Sequence, residues 1–92
     1  MTTQQLTLDA ITLLKRLIAT PSVSRKEDAA ADKLELFMKS HGLGTTREAN
    51  NIWSTAEHFD PSKPTLLLNA HIDTVAPAAT WTRDPYSPTL EG

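Results

Sequence analysis

Leu66-Leu67-Leu68-Asn69-Ala70-His71-Ile72-Asp73 is the stretch on which the fold assignment turns. It follows the turn-forming string Asp60-Pro61-Ser62-Lys63-Pro64. A short apolar run over residues 65–70 predicts a strand covered on both faces, as in a parallel or mixed sheet between helix layers. The run ends in His71, and an open α/β sheet places its ligand site just beyond the carboxyl end of a strand. Asp73 lies two positions on, so a continued extended backbone puts both side chains on one side. One imidazole nitrogen is then free for a metal ion. The carboxylate accepts a hydrogen bond from the other and fixes the tautomer. A histidine and an aspartate at this spacing more often make a plain surface hydrogen bond; the apolar strand ahead of them is what gives the pair weight.

The period before this stretch is helical and then extended. Leu6, Ala10, Leu13, Leu14, Leu17 and Ile18 recur at helical spacing, which predicts a helix over residues 6–19 with Thr7 as its cap. Thr20-Pro21 stops it, because a residue before proline is driven from the helical region. Ser24-Arg25-Lys26-Glu27 fits a capping box opening a second helix. Ala30, Leu34, Phe37 and Met38 would form its buried face. Lys39 and His41 suit the negative end of its dipole, and Gly42 suits a left-handed terminator. Residues 45–49 and 52–56 read as two strands of a hairpin around Asn50-Asn51. After residue 72 the prolines Pro77, Pro85 and Pro88 predict irregular chain, with Trp81 and Tyr86 as packing anchors. The expected fold class is α/β: two N-terminal helices packed on a mixed sheet of at least three strands.

Ninety-two residues make one domain or a part of one. Apolar residues are 39% and charged residues 22%, a globular balance rather than a disordered one. A net charge of −2 with scattered Lys and Arg offers no basic footprint for nucleic acid. There is no cysteine, so any metal must be held by His and carboxylate. Asp9, Lys15 and Arg16 interrupt the first apolar segment and no basic stretch precedes it, so it does not read as a signal peptide. No run approaches the roughly 20 apolar residues of a membrane span. A cytoplasmic location is the expectation.

The flanks of the pair carry a resemblance. Asn69-Ala70-His71-Ile72-Asp73-Thr74-Val75, then Pro77, then Trp81-Thr82-Arg83-Asp84-Pro85-Tyr86, resembles the M20 family of metallopeptidases and deacylases. Within that family the Trp-Thr-Arg-Asp-Pro-aromatic string is most similar to the acetylornithine deacetylase branch, with the succinyl-diaminopimelate desuccinylases as close relatives. Residues 14–24 also resemble the family's opening helix and loop. Ala70 stands where glycine or serine often precedes the histidine, and Pro77 arrives one residue late.

The resemblance implies a three-layer αβα zinc-hydrolase catalytic domain, of which residues 1–92 would be the N-terminal portion. It implies two zinc ions, with cobalt as an alternative, and hydrolysis of the amide bond of an N-acyl amino acid substrate. His71 matches the histidine that binds one of the ions, and Asp73 matches the aspartate that orients it. The family's bridging aspartate, glutamate pair, further carboxylate ligand and distant histidine have no counterpart here, so the segment alone is expected to be inactive. A homodimer is expected for the whole protein, and edge-strand self-association for this segment. Against these stand two other readings: a related amino- or carboxypeptidase, and a stand-alone, non-catalytic α/β module. His41 and His58 read as helix-end and loop residues, Ser22 and Ser24 as helix-start residues, and Trp53 as a packing residue.

Overall fold

The structure, a computed structural model, describes residues 2–91. Its elements are α1 (Thr3–Ile18), α2 (Asp28–Ser40), β1 (Thr45–Glu48) and β2 (Asn51–Ser54). α1 starts three residues before the predicted start. Thr2 caps it, not Thr7: Thr2 Oγ1 accepts from the Gln5 N–H at 3.1 Å, and Gln5 Oε1 accepts from the Thr2 N–H at 2.8 Å. That reciprocal pair satisfies two backbone donors, so the helix gains its first turn outside the apolar stripe. Thr7 instead sits inside the helix and donates its hydroxyl to the Thr3 carbonyl. The C-terminal stop falls as expected. The Thr20 hydroxyl donates to the Arg16 carbonyl at 2.7 Å just before Pro21.

α2 opens without the predicted capping box. Glu27 is its N-cap and makes no side-chain cap bond. Arg25 adopts φ +73°, and its N–H donates to Glu27 Oε1 at 2.7 Å. Ser24 is engaged elsewhere: its N–H donates to the Thr74 carbonyl at 3.2 Å, while the Thr74 N–H donates to the Ser22 carbonyl at 2.9 Å. Val23 and Thr74 thus form an isolated parallel bridge. A long-range backbone pair has outcompeted a local cap.

The end of α2 follows the sequence closely. His41 is the C-cap and Gly42 takes φ +74°. Leu43 N–H returns to the Met38 carbonyl and Gly42 N–H to the Lys39 carbonyl. This double bond pattern satisfies the last free carbonyls and needs a residue at ease in the left-handed region.

β1 and β2 form an antiparallel hairpin with Glu48 opposite Asn51. The turn is therefore Ala49-Asn50, one residue earlier than expected, and Ala49 carries φ +54°. Asn50 explains the slip. Its amide Nδ2 donates to Asp28 Oδ1 at 2.8 Å, and its Oδ1 accepts from Arg47 Nη2 at 3.1 Å. Arg47 Nη1 also reaches Asp32 at 2.6 Å and Glu35 at 3.2 Å. This network fastens the hairpin tip to α2.

Among the described residues the sheet has two strands, not three or more. Residues 64–73 form no ladder, and Leu66, Leu67 and Leu68 are 83%, 79% and 86% exposed. The expectation of a covered strand fails for a physical reason. A central strand needs a neighbour on each edge and a layer on each face, and α1, α2 and the hairpin spend their contacts on one another. Burial is correspondingly thin. Ala30 and Ala31 are the only buried apolar residues among those described; the expected partners Leu34, Phe37 and Met38 are half-buried. The fold is a small α/β arrangement of two helices and a hairpin, and a three-layer domain is not present among the described residues.

Candidate functional site

The 22–24 segment leaves α1 and bonds Thr74, so the residues just before Thr74 lie beside the start of α2 and the hairpin tip. His71, Ile72 and Asp73 border an open cavity of about 670 Å³ there, together with Arg25, Asn50 and Trp53. His71 Nδ1 lies 3.1 Å from Asp73 Oδ1 and 3.0 Å from the Asp73 backbone carbonyl. Both partners of Nδ1 can only accept when the carboxylate is ionised, which places the proton of a neutral ring on Nδ1. The lone pair is then on Nε2. The His71 side chain is 85% exposed and that of Asp73 42%.

The predicted pair is thus brought together on one side of the chain, with no sealed apolar surrounding. The strand expected to deliver it is absent. Position is set instead by the bridge to Thr74, a link between residues 51 apart that no local pattern announces. Among the described residues, no three His, Asp or Glu side chains gather in a group able to hold a metal ion. A catalytic zinc takes about three protein ligands. The donor set here fits one coordination position with its supporting carboxylate, not a whole site.

The remaining candidates separate cleanly. His58 is exposed, as expected of a loop. Trp53 and Trp81 are about half exposed, and Tyr86 is half-buried. Trp81, Pro85 and Tyr86 share a 140 Å³ cavity with Leu17, Ile18 and Thr20 at the end of α1. Ser22 is buried at 4% exposure and its carbonyl serves the Thr74 bridge. His41 does more than end its helix: Nε2 lies 3.0 Å from Asp9 Oδ2 on α1. Only its place at the dipole end was legible beforehand; the partner 32 residues away was not.

The described chain is therefore an α/β segment presenting a histidine–aspartate pair at an open cavity. No family model matches it. It is 33% identical over 75 residues to a probable carboxypeptidase of Emericella nidulans, covering 73% of this chain and 17% of that protein. It is 31% identical over 84 residues to succinyl-diaminopimelate desuccinylase of Cereibacter sphaeroides, covering 86% of this chain and 22% of that enzyme. Both names are those of hydrolytic enzymes. The chain spans about a fifth of the length of the curated relatives it matches.

Proposed function

We propose that these 92 residues are the opening segment of a metal-dependent amidohydrolase of the M20 type, acting on the amide bond of an N-acyl amino acid in the manner of an acetylornithine deacetylase. The observation that carries the reading is the His71–Asp73 contact, with Nδ1 committed to Asp73 and the ring otherwise exposed. In this reading His71 Nε2 is one ligand of a zinc ion, and Asp73 holds the ring in the tautomer that leaves that nitrogen free. Bound zinc in such sites supplies carbonyl polarisation and an acidified water. The relatives support hydrolysis as the reaction class. A desuccinylase removes an acyl group, which favours deacylation; the carboxypeptidase similarity keeps peptide-bond cleavage as the alternative.

Two measurements test this. Calorimetric titration of the 92-residue chain with zinc should give binding weaker than about micromolar, since one ligand is far short of the roughly three required. Tight stoichiometric binding by a monomer would show a more complete site and overturn the partial assignment. In the full-length protein, His71→Ala should abolish hydrolysis of N-acetyl amino acids; near-normal turnover would remove the ligand role.

A second reading, a self-associating non-catalytic module, is favoured by one observation. The three consecutive leucines at 66–68 are largely exposed and their backbone is unpaired among the described residues. An unpaired apolar segment is a template for another chain. An N-acyl amino acid turned over by the full-length protein, and lost with His71→Ala, would decide for the first reading.

A further inference from the structure

His41 sits where α1 and α2 meet. Its Nε2 lies 3.0 Å from Asp9 Oδ2 on α1, and its Nδ1 lies 2.9 Å from the Phe37 carbonyl on α2. The ring stacks on Phe37 with centroids 4.1 Å apart, and the side chain is only 19% exposed. Ser40 Oγ is also 3.2 Å from Nδ1, but its hydrogen is directed to the same Phe37 carbonyl at 2.8 Å. Every partner of the ring is therefore an acceptor. A neutral imidazole has one N–H and satisfies one of these two directions; only the doubly protonated ring satisfies both.

We propose that His41 is a proton-operated latch between the two helices: the imidazolium joins α1 to α2 through Asp9, and loss of its proton weakens that join, because it removes the charge and leaves a single N–H for the Asp9 carboxylate and the Phe37 carbonyl. Asp9 and Arg16 face the groove from α1 and Lys33 faces it from α2. Neither cation hydrogen-bonds the ring, whereas Asp9 touches it. Lys39 is paired with Glu35, and Arg47 of the hairpin is held by Asp32 and Glu35. The Asp9 carboxylate, followed by the Phe37 carbonyl, holds the His41 pKa above its ordinary 6.5. A raised folded-state value fixes the sign. The latch contributes fully below about pH 6.5 and is lost as pH rises through the raised value.

The chain has no cysteine, so Gln4→Cys with Ala29→Cys gives an unambiguous spin-label pair across α1 and α2. The distance between labels should be narrowly distributed below the His41 titration and should shift or broaden as the pH passes through it. The ring itself, followed by NMR, should titrate above 6.5 in the unlabelled protein. Asp9→Asn should lower the His41 pKa and flatten the pH dependence of the distance. A ring that titrates at or below 6.5 overturns the proposal. So does a label distance that stays constant while the ring titrates, and so does an Asp9→Asn variant that keeps both behaviours. The titration and distance in the otherwise native chain decide the matter even if Asp9→Asn does not fold.

Discussion

At the scale of single residues, the His71–Asp73 pair has an unequal division of labour. Nδ1 has two acceptors, the Asp73 carboxylate and the Asp73 backbone carbonyl, at 3.1 and 3.0 Å. Replacing Asp73 by Ala removes the first and leaves the second. Loss of a carboxylate that orients a metal-ligating histidine commonly costs 10–100-fold in metal affinity. Because the backbone carbonyl persists here, Asp73→Ala in the full-length protein should fall near the lower end, about 10-fold. Competition with a chromophoric zinc chelator would measure it. An unchanged affinity would mean that the carboxylate does not support the ring.

At the scale of elements, two left-handed positions make opposite predictions. Gly42 needs φ +74°, and a Cβ built there meets nothing within 4 Å. Gly42→Ala should therefore cost only the backbone strain, about 1 kcal/mol in denaturant unfolding. Ala49 already bears such strain at φ +54°, so Ala49→Gly should be neutral or slightly stabilising. A loss at Ala49 as large as at Gly42 would contradict this account. The hairpin clasp gives a pH prediction. The Arg47 guanidinium holds the Glu35 carboxyl below its ordinary range. A depressed folded-state pKa contributes stability above the ordinary value of 4.5 that is lost as pH falls through the depressed one. Melting between pH 6 and pH 3 should therefore fall more steeply in the native chain than in Arg47→Gln. Equal slopes would show that the clasp is idle. These elements also mark what the sequence could reveal. Gly42 and Thr20-Pro21 act through neighbours within a few residues, and their roles were legible. The Ser24 cap and the Asn50-Asn51 turn expected from local pattern do not form, because Ser24 answers to Thr74 and Asn50 to Asp28, partners set by the tertiary fold. The spacing of His71 and Asp73 is local too, so their juxtaposition could be read, whereas the loop that seats them could not.

At the scale of the whole molecule, the radius of gyration is 15.5 Å. A compact domain of this length would measure about 12 Å. The excess agrees with a longest extent of 51 Å and with a buried apolar core, among the described residues, of two alanines. The run at 66–68 shows what such an arrangement leaves open. Three leucines are exposed in succession on backbone that pairs with no described strand, although a segment of this composition is normally enclosed. In a longer protein the enclosing layers would come from elsewhere in the chain; in these 92 residues alone, another copy is the available partner. The chain should accordingly show an average mass by light scattering that rises with concentration. Leu67→Lys places a charge in the middle of the run, where pairing of two apolar segments would bury it at a cost no ion pair offsets. That variant should return the mass toward the monomer while leaving α1 and α2 intact by circular dichroism, since Leu67 belongs to neither helix. A native chain that stays monomeric at every concentration, or a Leu67→Lys variant that associates as strongly, would show that the leucine run is not a contact surface.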